Sequence, residues 1–471
     1  MGSESRDGVA APRARLRRTA TVLVALALTG STGTAVTLTV PTLTHEVGPV
    51  APPVAIVAPI PVLGPLSATA PTATAGGLSA ALTPLTSARG LGTFTGVVTD
   101  PATGAVLWDR TGGTPLVPGS TGKLLTTAAA LLTLNPTDRL VTRVVAGPDP
   151  GTVILVGGGD PTLTALPAGK EGVYPNPSRL TALADAVKKA APAHVTRVLV
   201  DTSRYRGPTL QPSWEPSDVP GGFVAPIEPV MLDGGRADAT KQDGPRVSDP
   251  ALTAGRALAG MLGASPGTVA AGTAAPGATV LGTVVSAPVS DLVEQTIRAS
   301  DNVLAEVLAR EVAIRRKGDP SFAGAADQTL AALAQAGFDT AGAHMVDGSG
   351  LSTDDRVPAK LLGAVLAAAA APSEGAKDIQ FLRPIVTGLP VAGGDGTLDD
   401  RFVAGSPAAA GRGVVRAKTG TLTGVSSLAG ITTDADGRLL VFALMSNNVV
   451  PAVVRPELDA IAARLSRCGC R

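Results

Sequence analysis

Both ends of this chain have sequence patterns typical of strands and helices, and a long segment with a different sequence pattern separates them. Near the amino end, residues 93–100 and 105–109 have compositions typical of strands, and the Pro-Ala-Thr-Gly turn between them predicts a hairpin. A helix is predicted over residues 120–132, because a Pro-Gly pair precedes it and an Asn-Pro pair follows it. This end therefore supplies two strands and a helix to one folded unit.

The carboxyl end supplies further predicted strands and a helix. Residues 414–419, 426–432 and 439–445 have the composition of strands, and an Asp-Gly pair predicts a tight turn between the last two. Residues 457–465 are predicted to form a closing helix. A sheet and its helices must bury their apolar faces against one another, so the two ends are interpreted as one α/β domain that an insertion interrupts.

The domain boundaries follow from this interpretation. We expect a discontinuous domain made of residues 78–148 and 286–471, and an inserted accessory domain over residues 149–285. Within the insertion, residues 178–191 are predicted to form a helix and residues 195–201 a strand.

The first 40 residues predict export. Five arginines and two acidic residues lie within the first 18 residues, and no formal charge follows between Thr19 and His45. A basic segment followed by a short apolar run is typical of a secretory signal, so residues 1–40 are assigned as a signal peptide or a signal-anchor. We therefore expect a protein of the cell envelope or the extracellular space, whose only membrane contact would be an uncleaved anchor.

Residues 41–77 are rich in proline and alanine and predict a linker. Proline at this density blocks helices and sheet ladders and favours an extended spacer. Such a spacer would hold the folded body away from a membrane or let it reach through a cell wall.

Charge and ligand counts exclude several classes of function. The net charge of +1 argues against nucleic-acid binding, which needs many phosphate contacts from lysine and arginine. Three histidines and two cysteines are too few for a His/Cys zinc or iron site, although counting alone does not exclude a carboxylate site. No metal and no cofactor is expected. Cys468 and Cys470 lie in a tail that we expect to be frayed, as a disulfide or as a thiol pair.

Three short motifs carry the chemistry, in a fixed order along the chain. They are Ser120-Thr-Gly-Lys123, Ser300-Asp-Asn302 and Lys418-Thr-Gly420. Each motif alone is weak, because a helix cap, a helix start or a solvated strand lysine would explain it equally well. Together and in this order, they resemble the motif set of the serine penicillin-recognising enzymes.

The spacing explains how the first motif would work. Residues three apart share one face of a helix, so Lys123 can reach the hydroxyl of Ser120 at the helix start. A serine hydroxyl is a poor nucleophile until a base takes its proton. Lys123 is the predicted base, since burial and the second charge of Lys418 would lower the pKa of its amine.

The remaining residues have predicted roles around that nucleophile. The backbone N–H groups of Ser120 and Thr421 would form the oxyanion hole. Ser300 is a predicted proton relay and Asn302 a predicted ligand of the substrate amide. The three remaining candidates would bind the substrate itself, with Lys418 and Thr419 on its terminal carboxylate and Gly420 against its backbone.

Further blocks extend the resemblance beyond the three motifs. The chain is similar to the low-molecular-mass class C penicillin-binding proteins, which are serine D-alanyl-D-alanine carboxypeptidases and endopeptidases. Four blocks between the motifs carry the likeness: Leu155-Val-Gly-Gly-Gly-Asp-Pro, Val200-Asp-Thr-Ser-Arg-Tyr, Asp347-Gly-Ser-Gly-Leu-Ser and Leu389-Pro-Val-Ala-Gly-Gly-Asp-Gly-Thr-Leu. The resemblance implies a serine DD-peptidase/β-lactamase-like (transpeptidase-like) α/β fold with an inserted accessory domain.

The function that the resemblance implies is acyl transfer on peptidoglycan. The expected substrates are stem peptides that end in D-Ala-D-Ala, and β-lactams would act as covalent inhibitors. Two alternatives stay open from the sequence. One is a β-lactamase or esterase on the same fold, and the other is a wall-binding protein without turnover, although the intact motif set argues against it.

Overall fold

The computed structural model describes residues 69–87, 89–191, 193–372 and 380–471. The predicted signal segment and most of the predicted linker lie outside these residues. Within them, no helix is both long enough and apolar enough to cross a membrane.

The described residues contain both strands and helices, interspersed along the chain. The strands are β1 (Thr93–Thr99), β2 (Val106–Arg110), β3 (Pro115–Leu116), β4 (Arg139–Ala146), β5 (Thr152–Val156), β6 (Arg197–Asp201), β7 (Ala270–Ala271), β8 (Val280–Pro288), β9 (Val357–Pro358), β10 (Arg416–Leu422), β11 (Val425–Thr433) and β12 (Leu439–Asn447). The helices are α1 (Ala75–Thr86), α2 (Lys123–Thr133), α3 (Leu180–Ala190), α4 (Pro250–Leu262), α5 (Val289–Arg298), α6 (Asn302–Arg315), α7 (Phe322–Gln335), α8 (Ala359–Ala370), α9 (Arg383–Thr387) and α10 (Pro451–Ser466).

One sheet joins the two ends of the chain. Its five strands lie in the order β10-β11-β12-β1-β2, and every neighbouring pair is antiparallel. Strand β1 lies beside β12, with Val97 opposite Ala443. The predicted hairpin of β1 and β2 is confirmed, as is the pairing of the carboxyl-terminal strands.

Strand β12, at the centre of this sheet, is buried on both faces, because its side chains point alternately into two apolar clusters. Val441, Ala443 and Met445 face a cluster that α2, α5 and α8 complete. Phe442 and Leu444 face a second cluster, which α1 and α10 complete. The sheet is therefore the middle layer of a helix–sheet–helix arrangement.

A second sheet belongs to the segment between the first two motifs. Its order is β7-β6-β5-β4-β8, with parallel pairing of β5 with β6 and of β6 with β7. Strand β4 begins at Arg139, before the expected boundary at 149, and yet it pairs with β5 and β8 of this sheet. The division of the chain into two domains stays a prediction.

The folded body begins earlier than the predicted linker allows. Ala70 and Ala73 are buried, and the hydroxyl of Thr74 accepts a hydrogen bond from the N–H of Gly77 at the start of α1. A threonine cap followed by buried Leu78 and Leu82 at helical spacing explains why a helix forms here. Residues 75–77, predicted from the sequence to belong to the linker, form the start of α1 instead.

The carboxyl-terminal tail is ordered rather than frayed. Cys468 and Cys470 are buried in the same apolar cluster as α1, and the structure pairs them as a disulfide. The N–H of Thr74 donates to the carbonyl of Cys470 over 2.6 Å. The tail therefore holds the start of α1, a contact that no local pattern in the sequence indicates.

Candidate active site

The first motif lies in a turn that leads directly into α2. Residues Gly119–Gly122 form one turn of 3-10 helix, and α2 begins at Lys123. Gly119 has φ +54°, a left-handed conformation that glycine adopts without steric cost. The predicted i, i+3 contact is present, since Lys123 Nζ donates to Ser120 Oγ over 2.8 Å.

Lys123 is fully buried and has two further acceptors. Its Nζ donates to the Ser349 carbonyl over 2.7 Å and to Asn302 Oδ1. Burial lowers the pKa of Lys123 to about 8, although the carboxylates of Asp347 and Glu306 act in the opposite direction. An amine with this pKa is neutral in part of the population near neutral pH and can accept a proton.

The second motif lies between α5 and α6. Ser300 has φ +56°, and Asp301 caps α6 by accepting from the N–H of Leu304 over 2.9 Å. Asn302, the first residue of α6, donates from Nδ2 to the Phe223 carbonyl over 3.0 Å. The motif thus places Asn302 within hydrogen-bonding distance of Lys123, and Ser300 lines the same cleft as Asn302.

The third motif lies on the edge strand β10. Lys418 Nζ donates to Ser300 Oγ over 2.9 Å and to the Thr419 carbonyl over 2.7 Å. Burial lowers the pKa of Lys418 well below its usual value, and the charges of Lys123 and Arg401 lower it further. Two buried amines in one site therefore disfavour each other's charge.

Gly420 allows β10 to pass directly behind the nucleophile turn. A Cβ atom on Gly420 would lie 2.5 Å from the Pro118 carbonyl oxygen and 3.0 Å from the backbone nitrogen of Ser120. A Cβ atom on Gly119 would lie 3.1 Å from the backbone nitrogen of Thr421. The two N–H groups predicted for the oxyanion hole therefore belong to segments in direct contact.

These residues meet at a cleft of about 780 Å³. Five sequence-predicted residues line it: Ser120, Ser300, Asn302, Thr419 and Thr421. Lys123 and Lys418 lie beneath them, fully buried. The structure thus brings together every residue that the motifs nominate, although the chain separates them by up to about 300 residues.

The loop that holds Lys123 has no role predicted from the sequence. The Ser349 carbonyl accepts from Lys123, while the N–H of Ser349 donates to Glu306 over 2.8 Å and that of Gly350 donates to Asp347 over 2.7 Å. Burial and the Asp347 carboxylate raise the pKa of Glu306 to about 8. The Asp-Gly-Ser-Gly block was the available signal for this loop.

Thr397 is a second residue without a predicted role. Its hydroxyl accepts from the Thr419 hydroxyl over 2.8 Å, and it lines the same cleft. It belongs to the Gly-Asp-Gly-Thr-Leu block, which marked the segment but not this contact.

The arrangement fits nucleophilic acyl transfer. It has a hydroxyl with a buried amine within hydrogen-bonding distance, two backbone donors beside that hydroxyl, and a second hydroxyl–amine pair across the cleft.

Comparison with solved structures shows the class of fold. Penicillin-binding protein 4 (DacB) from Haemophilus influenzae matches with a TM-score of 0.67 and 21% sequence identity, over 83% of this chain and 99% of that chain. The predicted transpeptidase-like α/β fold is confirmed.

Comparison with protein families shows the particular family. The model of the D-Ala-D-Ala carboxypeptidase 3 (S13) family matches residues 78–245 and 236–468. Carboxypeptidase DacB from Mycolicibacterium smegmatis is 47% identical over 395 residues, which cover 83% of this chain and 84% of that protein. A carboxypeptidase from Mycobacterium tuberculosis is 45% identical over the same shares. The chain belongs to the D-Ala-D-Ala carboxypeptidase 3 (S13) family, which confirms the predicted enzyme class, a serine-type D-Ala-D-Ala carboxypeptidase.

Proposed function

We propose that this chain is an exported enzyme that trims peptidoglycan stem peptides through an acyl-enzyme on Ser120. The hydrogen bond from Lys123 to Ser120 at the base of the cleft is the observation that carries the proposal. The substrates are peptides that end in D-Ala-D-Ala and cross-links of the same chemistry, and penicillins acylate the same serine. Export rests on the basic and apolar segments of residues 1–40.

The first chemical step forms an ester on Ser120. Its Oγ attacks the carbonyl carbon of the penultimate D-Ala while neutral Lys123 accepts the hydroxyl proton. The negative charge on the carbonyl oxygen is stabilised by the N–H groups of Ser120 and Thr421. Collapse of this intermediate breaks the peptide bond, and the leaving D-Ala nitrogen takes the proton of the Ser300 hydroxyl, which the ammonium of Lys418 replaces through its hydrogen bond to Ser300 Oγ. Water then hydrolyses the ester: Lys123 returns its proton to Ser120 Oγ, the water loses a proton to the solvent, and Lys418 regains one from the solvent.

Substrate binding assists the base. The terminal carboxylate binds beside Lys418 and Thr419, and an anion at this point favours the charged form of Lys418. A charged Lys418 in turn favours the neutral form of Lys123. Asn302 binds the substrate's amide, and the edge strand β10 pairs with its backbone at Gly420.

The acylation rate is expected to rise with pH through about 8. Lys123 must be neutral to accept the proton, and its pKa is about 8, so the reactive fraction grows about tenfold per pH unit below that value and then levels off. Stopped-flow measurement of penicillin acylation between pH 6 and 10 checks this, with a thermal melt at each pH as the control for folding. A rate that is constant from pH 6 to 9 would contradict a lysine base with this pKa.

Lys418→Gln is expected to weaken substrates with a terminal carboxylate more than substrates without it. A hydrogen bond to a charged group contributes about 1.5–3 kcal/mol, so kcat/KM for a D-Ala-D-Ala peptide should fall roughly 10- to 100-fold. A smaller loss is expected with an ester that lacks the carboxylate, because Lys418 also influences Lys123. Equal losses with both substrates would show that Lys418 acts through the electrostatics of the site and not by binding the carboxylate.

Release of D-Ala tests the proposed function. The purified full-length chain is incubated with a peptide ending in D-Ala-D-Ala, a matched peptide ending in L-Ala-L-Ala, a cross-linked muropeptide and nitrocefin. We expect D-Ala from the first peptide, none from the second and cleavage of the muropeptide. Rapid turnover of nitrocefin without peptide cleavage would favour a β-lactamase, and no turnover of any substrate would favour a wall-binding protein.

A further inference from the structure

The serine of the second motif has a backbone conformation that its surroundings must hold. Ser300 is a residue other than glycine with φ +56°, a region that side chains seldom adopt. Such conformations cost of order 1–3 kcal/mol and persist where neighbouring contacts fix them.

Two side chains from the segment between the first two motifs hold the next residue, Asp301. The hydroxyl of Tyr174 donates to Asp301 Oδ2 over 2.8 Å, and Arg236 donates to the same oxygen over 3.1 Å. Arg236 also donates to the Tyr174 oxygen over 2.9 Å, and its guanidinium lies 5.0 Å from the centre of the Tyr174 ring. The three side chains form a closed network, which we call the Asp301 clamp.

The Asp301 clamp is buried and charged. Tyr174, Arg236 and Asp301 are 1%, 6% and 4% exposed. Burial raises the pKa of Asp301, but the charges of Arg236 and Arg246 more than offset it and keep the pKa below its usual value. Burying an ion pair costs solvation energy, so such a pair contributes little to net stability and is better explained by the geometry that it imposes.

The other oxygen of Asp301 connects the clamp to α6. Asp301 Oδ1 accepts from the N–H of Leu304 and so fixes the first turn of the helix on which Asn302 lies. The carbonyl of Phe223 separately accepts from Asn302 Nδ2. The same inserted segment therefore contacts both residues that follow Ser300.

We propose that Tyr174 and Arg236 are positioning residues for acyl transfer, which act through Asp301 on Ser300 and Asn302. They keep the Ser300 hydroxyl on Lys418 and the Asn302 side chain on Lys123, and they make the inserted segment part of the catalytic apparatus. The inference rests on the proposed roles of Ser300 and Asn302.

A second, more exposed ion pair between the inserted segment and α6 offers a control. Arg204, also from the inserted segment, donates from Nε to Glu311 Oε1 over 2.8 Å, and the exposed fraction of the Glu311 side chain is 4%. This pair also joins the inserted segment to α6, but it lies beyond the turn that carries the motif. Removing the Arg204–Glu311 ion pair tests whether a weaker contact between the inserted segment and α6 is by itself enough to slow acylation.

The experiment measures the second-order rate constant of acylation by a fluorescent penicillin, with the melting temperature of each variant beside it. We expect Arg236→Gln to lower the rate about 10-fold or more, Tyr174→Phe to lower it about threefold, and Arg204→Gln to change it less than twofold. Arg236→Lys should restore part of the rate, because an ammonium can still pair with Asp301. The Arg236→Gln/Asp301→Asn double variant should be no slower than the slower single variant, as expected for residues that act through one another.

Two results would overturn the inference. One is acylation of folded Arg236→Gln at the wild-type rate, and the other is an equal loss in Arg204→Gln. If Arg236→Gln does not fold, Tyr174→Phe decides, since it removes one hydroxyl and keeps the ring; a wild-type rate in that variant overturns the inference. Labelling of Ser120→Ala would instead refute the proposed function, so the two failures are distinguishable.

Discussion

Ser120→Ala is expected to abolish covalent labelling by penicillin while the protein stays folded. Among the described residues, Ser120 is the only serine of the cleft whose hydroxyl accepts a hydrogen bond from Lys123, and the substitution removes this hydroxyl. Lys123 keeps its bonds to Asn302 and Ser349, so the site loses one hydrogen bond and little stability, about 1 kcal/mol. Fluorescent penicillin labelling followed by denaturing electrophoresis measures the effect, and a thermal melt measures folding.

A serine in the same cleft provides the control. Ser406 lines the cleft and donates to the Val403 carbonyl over 2.7 Å, and no lysine among the described residues forms a hydrogen bond with its hydroxyl. Ser406→Ala should therefore be labelled at the wild-type rate. Label on the Ser120→Ala variant at that rate would remove Ser120 as the nucleophile and with it the proposed acyl-enzyme.

Local spacing explains why the motifs could be predicted from the sequence. Ser120 and Lys123 are three residues apart in a helical turn, so their contact follows from helix geometry alone. The hairpin of β11 and β12 likewise follows from its Asp-Gly turn and the flanking apolar residues. The order of the three motifs then indicated the family, because that order is far less frequent by chance than any one motif.

The contacts that complete the site have no local pattern. Lys123 and the Ser349 carbonyl are 226 residues apart in the chain, and Tyr174 and Asp301 are 127 apart. Such pairs depend on how helices and sheets pack, and a buried tyrosine or arginine has the same sequence signature as one in a loop. The Asp-Gly-Ser-Gly block indicated that the segment around Ser349 matters. It did not indicate that the backbone carbonyl of Ser349, and not its side chain, accepts the hydrogen bond from Lys123.

The sheet to which strand β4 belongs was likewise not predictable from the sequence. Its residues alternate as an edge or central strand of either sheet would, with Leu140, Thr142 and Val144 buried. The change of composition near residue 149 suggested a boundary there, but strand pairing is decided by long-range partners. Only the pairing of β4 with β5 and β8 assigns it to the second sheet.

Penicillin is expected to form an adduct on Ser120 that lasts minutes or longer. Acylation needs only the nucleophile, its base and the oxyanion donors. Deacylation needs in addition a base that activates water at the ester, and the class A β-lactamases use a glutamate for this. Mass spectrometry of the intact protein at intervals after penicillin treatment measures the adduct, with Ser120→Ala as the control that should show none.

The two glutamates of α6 are unsuited to that task. Glu306 accepts from the N–H groups of Gly348 and Ser349, and Glu311 accepts from Arg204 and Tyr205; both are buried. A carboxylate whose oxygens are committed to such donors does not activate water at the ester.

The acidic residues that line the cleft fall into two kinds. Asp301 is held by the Asp301 clamp, and Asp459 is paired with Arg401. Asp243 and Asp400 are exposed, and no contact fixes either carboxylate toward Ser120 in the described residues. The opened β-lactam also keeps its leaving group attached, which hinders the approach of water. Disappearance of the adduct within seconds, with continuous consumption of penicillin, would show that a water-activating base exists and would make the protein a β-lactamase in practice.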